Sequence, residues 1–208
     1  MMLPGKSEHP LSSAARRLCA VLFLILVFAP AQAQAQTPIH FVAGPNFGTI
    51  SSDVFDDAES KIGIFAAVGT SFMLSETVSL SPYVGYVQKG AEFDGEDASY
   101  DYIEIPVLLG TSFPVGESMA LNVFGGPQFG FQINCDEGGF DCTEFSNHKG
   151  TEFGVILGTG LRFPVSETGA FAVSLGADFG LTDLFDELDY KTRTYFLSLQ
   201  YSTTLGGN

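Results

Sequence analysis

Acid–base, thiol and metal chemistry draw on histidine, cysteine and paired carboxylates, and this 208-residue chain holds three histidines and three cysteines. His9 and Cys19 lie in an N-terminal leader, which leaves His40, His148, Cys135 and Cys142. Neither remaining histidine neighbours a nucleophile in a recognisable motif, and P-loop and HExxH patterns are missing. The stretch DGEDASYDYIE does not fit the EF-hand spacing, because Ala98 stands where the fifth position requires Asp or Asn. The acidic loops therefore read as a solvated charged surface, with loose Ca²⁺ binding as the alternative. A non-enzymatic protein with no cofactor and no resident metal is the expectation. The two cysteines of CDEGGFDC, Cys135 and Cys142, read as a local disulfide in an exported protein, with a metal site that adds His148 as the alternative.

Export is written in the first 35 residues. Lys6, Arg16 and Arg17 precede the apolar run LCAVLFLILVFA, and Pro30 and AQAQAQ follow, offering cleavage after Ala33 or Ala35. Basic leader, short apolar core and small-residue site are the order of a Sec-type signal peptide. The run is shorter than the roughly 20 residues of a transmembrane helix. Residues 36–208 then form one domain. Loss of Lys6, Arg16, Arg17 and Glu8 from the whole chain's 9 basic and 24 acidic side chains leaves 6 and 23, a net charge near −17. Such a chain repels nucleic acid.

The elements that must position these groups are strands. No sustained helical periodicity follows the leader, and short alternating segments rich in Phe, Val, Leu, Thr and Tyr predict strands near 40–50, 62–74, 77–90, 100–114, 118–133, 151–164, 169–180 and 192–205. Three connections are short and alike: FMLSET at Phe72, FPVGES at Phe113 and FPVSET at Phe163. Four are longer and acidic: SSDVFDDAESK, FDGEDASYD, NCDEGGFDCTEFSNHK and LTDLFDELDYK. Short turns at one end and long loops at the other describe an eight-stranded antiparallel up-and-down transmembrane β-barrel of the bacterial outer-membrane kind.

The two strand faces agree with that reading. One carries large apolar residues, as in Phe153, Val155, Leu157 and Leu161, or Tyr195, Leu197 and Leu199. The other is small and polar, as in Gly154, Gly158 and Gly160, or Ser198, Gln200 and Ser202. A soluble barrel would place Lys, Glu and Arg on its water-facing side. Small polar residues suit the crowded lumen of eight strands, so the apolar face is expected to meet outer-membrane lipid. Phe72, Phe113 and Phe163 fit an aromatic girdle beside the short turns.

The stretch YIEIPVLLGTSF puts Glu104 and Pro106 on the lumen face. Lys89 on the preceding strand shares that face and is the expected partner of Glu104, and Arg162 and Asp178 on adjacent strands are expected to form a second inward pair. The alternative is that these charges meet water singly near the rims. A β-bulge is one way to accommodate Pro106, and likewise Pro45, Pro82 and Pro127.

SLSPYVGYVQKGA, YDYIEIPVLLGTSF, NVFGGPQFGF, FGVILGTGLRF, LGADFGLTDLFD and KTRTYFLSLQYS follow one another in an order that resembles the PorT-like outer-membrane β-barrel family. Gln88 to Gly90 and the Tyr102 to Pro106 motif are the most specific parts. The resemblance implies an eight-stranded barrel often labelled porin-like, and one family member takes part in protein secretion. The chain departs from such barrels at its end, where Leu205, Gly206, Gly207 and Asn208 replace a terminal aromatic residue.

Two functions follow as expectations. The barrel presents acidic loops to an unknown extracellular or secretion-system partner, with Phe140 and Phe145 as contact residues, or those rings fold over the mouth as a plug. Alternatively, it is a narrow pore for small solutes. Its other partners are lipid and the barrel-insertion machinery.

Overall fold

The computed structural model describes residues 37–52, 59–93, 96–141, 149–183 and 190–204. The leader, the cleavage site and the Leu205 to Asn208 tail lie outside the described residues. Among the described residues the chain forms strands β1 (Pro38–Ser52), β2 (Glu59–Thr70), β3 (Phe72–Met73), β4 (Val78–Phe93) and β5 (Glu96–Val115). They continue with β6 (Met119–Glu137), β7 (Phe140–Asp141), β8 (Thr151–Pro164), β9 (Gly169–Gly180) and β10 (Tyr190–Thr204). All pairings are antiparallel, in the order β2-β1-β10-β9-β8-β6-β5-β4, and β2 pairs with β4 to close the ring. The two-residue β3 continues the β2 stave after Ser71, keeping its register against β4, and β7 folds back on β6. The result is a closed eight-stave barrel.

The short turns are built from the repeated motif. In FMLSET the amides of Leu74 and Ser75 donate to Val78 O at 2.9 and 3.2 Å, and in FPVSET those of Val165 and Ser166 donate to Gly169 O at 2.9 and 3.1 Å. The third turn has Gly116 where the others have serine, at φ 68°, a left-handed conformation that side chains disfavour.

At the other end the strands run further than their composition suggests. FDGEDASYD is mostly ladder: β4 reaches Phe93 and β5 starts at Glu96, with Gln88↔Asp101 and Glu92↔Asp97 as rungs. Alternation holds them, because Ala91, Ala98 and Tyr100 point inward and are buried. CDEGGFD is a tight hairpin. Gly138 and Gly139 have φ of 59° and 85°, Glu137 pairs with Phe140 and Asp136 with Asp141, the pattern of a two-residue turn with positive φ at both centres.

Large apolar residues face outward all round: Ile64 is 62 % exposed, Leu157 54 %, Leu175 61 % and Leu197 48 %. A continuous belt of this kind is stable only against lipid. Phe72 and Phe113 are exposed beside the short turns, as a girdle requires.

The prolines are not absorbed by bulges. Pro45 pairs with Ile64 but is passed over on the β10 side, and Pro106 pairs with Gln128 but is passed over on the β4 side. Pro127 pairs with Val155 and is passed over by β5, and Pro82 pairs only with Val107. The register is the same before and after each gap on β1–β10, β4–β5 and β5–β6. A proline lacks one donor, and each inner strand residue offers its N–H to one flank only, so an interrupted ladder suffices. The two irregularities lie elsewhere, between Ser60 and Phe65 on β2 and next to Ile133 on β6.

Candidate functional site

Inward parity and a shared depth bring four charged side chains together inside the barrel. Lys89 of β4 projects across the lumen, and its Nζ lies 2.8 Å from Glu104 of β5, 2.5 Å from Glu152 of β8 and 2.5 Å from Asp178 of β9. All four are buried. Gln128 Nε2 donates to Glu152 Oε1 at 2.7 Å, and Thr192 Oγ1 donates to Glu152 Oε2 at 2.7 Å. The Lys89 ammonium also stands 5.6 Å from the ring centre of Tyr102. One ammonium thus ties staves from opposite sides of the barrel into a single cluster.

The Lys89–Glu104 contact is the one anticipated from the sequence. The second expected pair is corrected: Asp178 binds Lys89, not Arg162. On the β8–β9 ladder Asp178 lies opposite Ile156, while Arg162 lies opposite Ala172, six residues further along β8. At about 3.3 Å per residue that offset is about 20 Å, and Arg162 sits exposed at the short-turn end. Glu152 was missed. It shares the parity of Gly154 and Gly158, the only signal of its inward direction, and its position at the start of β8 makes it look like a loop acid.

Three carboxylate oxygens of Glu104, Glu152 and Asp178 lie within 4.8 Å of one another, close enough to hold a metal ion. Here the Lys89 ammonium is the cation they hold. Its proton donors point at carboxylates already committed to it, so the cluster is a cross-brace rather than an acid–base pair open to a substrate.

Above the cluster, toward the long loops, the lumen is filled by Tyr100, Tyr102, Ile50, Ala91, Ala98 and Cys135, with Tyr190 packed against them. Below it a cavity of about 310 Å³ extends toward the short-turn end, where Arg162, Ser112 and Asn122 line it. Its walls include inward aromatics that parity alone should have revealed: Phe65, Phe124 and Phe196. Phe124 lies over Gly158 and Phe196 over Gly176, so those glycines leave room for the rings.

His40, at the short-turn end, has serine neighbours that the linear sequence conceals. Ser202 Oγ is 2.8 Å from Nδ1 and Ser71 Oγ 2.7 Å from Nε2, and Ser71 is 2.6 Å from Ser81. Gln200 Nε2 is the third polar neighbour, 3.3 Å from Nδ1. Among the described residues no carboxylate bonds to the ring, so the third member of a hydrolytic triad is not supplied.

Cys135 is buried at the root of the Gly138–Gly139 hairpin. Cys142 and Phe145 lie outside the described residues, as does the side chain of Phe140, whose backbone closes β7 against Glu137. In the rim, Lys61 pairs with Asp97 at 3.2 Å and Lys191 with Asp183 at 3.4 Å.

A family model described as "Outer membrane protein beta-barrel domain" matches residues 32–186. No curated protein matches the sequence. Among solved structures, Neisserial surface protein A is similar over 80 % of this chain and 97 % of its own, with 14 % identity and a TM-score of 0.55. Ail, the attachment invasion locus protein of Yersinia pestis, covers 80 % and 99 % at 14 % identity and a TM-score of 0.43. The outer membrane enzyme PagL covers 79 % and 99 % at 16 % identity and a TM-score of 0.43. At these identities the first likeness speaks for the fold alone.

Proposed function

The chain belongs to the outer membrane protein beta-barrel domain family, and from that premise we propose that it is a closed, non-enzymatic barrel whose long loops display acidic side chains to a partner outside the cell. Its place is the outer membrane, where the belt of Ile64, Leu157, Leu175 and Leu197 meets lipid. In this reading residues 1–35 direct export and the barrel-insertion machinery assembles the rest. The VQKGA and YDYIEIP segments support a position near the PorT-like barrels, and the loop partner is an unknown extracellular or secretion-system component.

The observation that carries the reading is the cross-brace. Lys89 spans the lumen, and Tyr100 and Tyr102 pack above it, so the interior is filled at one level by side chains. A barrel of eight strands has little more than the space of its own side chains inside. What remains to meet a partner is the loop end, with its Asp and Glu residues. Planar-bilayer recording tests this directly: the purified protein gives no steady single-channel steps. Reproducible steps would favour the second reading, a narrow porin-like pore, for which the cavity reaching the short-turn end is the supporting observation.

A further inference from the structure

Below the cross-brace lie polar atoms for which the barrel itself has no use. Asn46 of β1 is 1 % exposed, and both its amide nitrogen and its oxygen lack a hydrogen-bond partner in the protein. Thr194 of β10 is 3 % exposed, and its hydroxyl is likewise unpartnered. Buried polar groups are nearly always paired, because an unpaired one loses its hydration for nothing. Both residues line the cavity, as do Glu104 and Asp178. Register explains their meeting: Thr194 lies opposite Asp178 on β9 and opposite Gly48 on β1, two residues from Asn46.

We propose that this cavity is a binding site for a small organic ammonium compound, a singly charged cation with an apolar body that enters from the short-turn end and stops against the Lys89 cluster. The charge follows from the cluster itself, where three carboxyl groups face one ammonium. The excess is met by protons or by a further cation, and a carboxylate or phosphate ligand would add to it. An ammonium carries three donors and no acceptor, which suits Asn46 Oδ1, Thr194 Oγ1 and the edge of Asp178.

The apolar body follows from the walls. Phe65 and Phe196 form an edge-on pair with centroids 5.6 Å apart, and with Phe124, Leu108 and Ile156 they give the cavity an apolar part, beside polar walls that include Ser81, Ser198 and Gln200. Aromatic faces also attract a cation. The aromatic part of the wall offers a hydrated metal ion no oxygen ligands. The volume, about 310 Å³, stands at the small end of the range for ligand pockets, roughly 300–1,000 Å³. Arg162 at the mouth disfavours a second cationic group. The inference is independent of whether the loops bind a partner.

Benzylammonium is the probe, titrated into the full-length barrel purified from outer membranes in detergent micelles and followed by methyl NMR. Ile156 and Leu108 report the cavity, and Leu157 and Leu197 on the outer belt report partition into the micelle. The expected result is saturable shifts at the first pair and none at the second. Benzyl alcohol and phenylacetate bind at least about tenfold more weakly, the loss of one charge-assisted contact. Asn46→Leu, which removes an unpaired group and keeps the barrel heat-modifiable, weakens benzylammonium by a similar factor, and Thr194→Val weakens it several-fold. Equal shifts at all four methyls, equal binding of the alcohol, stronger binding of phenylacetate, a response to Ca²⁺ alone or undiminished binding to Asn46→Leu would overturn the proposal. No shift at all would leave water as the only occupant and overturn it equally.

Discussion

Replacing Lys89 with methionine tests the cross-brace most directly, since the thioether keeps the length of the side chain and removes only its charge and donors. Glu104, Glu152 and Asp178 then face one another with oxygens within 4.8 Å. At an effective dielectric of about 20, two full charges at that separation repel by about 3 kcal/mol. Removing one partner of a buried ion pair costs about 3–5 kcal/mol. Both estimates are a large share of the stability of a typical domain, about 5–15 kcal/mol. Lys89→Met is therefore expected to unfold at markedly lower urea concentration, losing about 3–5 kcal/mol. The chain has no tryptophan, so the assay is the gel fraction of compact, unheated barrel across a urea series in micelles, with tyrosine circular dichroism beside it. Adding Glu104→Gln, Glu152→Gln and Asp178→Asn to Lys89→Met removes the uncompensated charge, and replacing a whole buried network by neutral groups is often close to neutral. The quadruple variant should regain most of the loss. If Lys89→Met costs less than about 1 kcal/mol, the cluster is hydrated like a surface pair, and the reasoning about a dry brace fails.

Leu157→Arg, at the middle of the outer belt, should lose about 2–4 kcal/mol in lipid vesicles, while the same change at Val165 in the short turn should lose little; equal effects would refute the lipid-facing assignment. Changing Gly138 and Gly139 together to alanine places two side chains at φ of 59° and 85° and should raise protease cleavage of that hairpin without changing barrel mobility on a gel, the strain being about 1–2 kcal/mol per residue. We propose that Cys135 bonds to Cys142, the next residue in sequence after Asp141, whose partner on β6 is Asp136; two freely reactive thiols in the unreduced protein would rule the bridge out. Its reduction should loosen the hairpin and leave the barrel, whose ring closes through other strands, heat-modifiable.

Which face a residue occupies was legible, and how deep it sits was not. Alternation of large and small residues put Glu104, Lys89 and Asp178 inside and Leu157 outside, because strand parity is local. Depth depends on register between strands distant in sequence. Asp178 and Arg162 share a face, yet the β8–β9 register places them six rungs apart, and only the fold brings Asp178 beneath Lys89. Glu152 illustrates the same limit, since an acid at a strand's first rungs looks like loop until its neighbours are known. The repeated F-x-aliphatic turn was readable because one hydrogen-bond pattern recurs twice. The prolines misled, since a bulge and a skipped rung suit the same residue equally well and only the ladder distinguishes them. His40 shows the opposite failure: its two serine neighbours come from β10 and from Ser71, 162 and 31 residues away.

The pairing of β1 with β10 carries a topological consequence. Pro38 stands opposite Thr204 on the seam where the first and last staves meet, so the two ends of the ladder are neighbours. Joining them with a short flexible linker and cutting the chain within any long loop would produce a circular permutant with every rung intact. Tolerance of such permutation is common where termini are adjacent and the new ends fall in exposed loops. The order in which staves are synthesised is then separable from the order in which they lie round the ring. This barrel could be rewired to begin at β5 or β10 without altering its brace, its cavity or its belt.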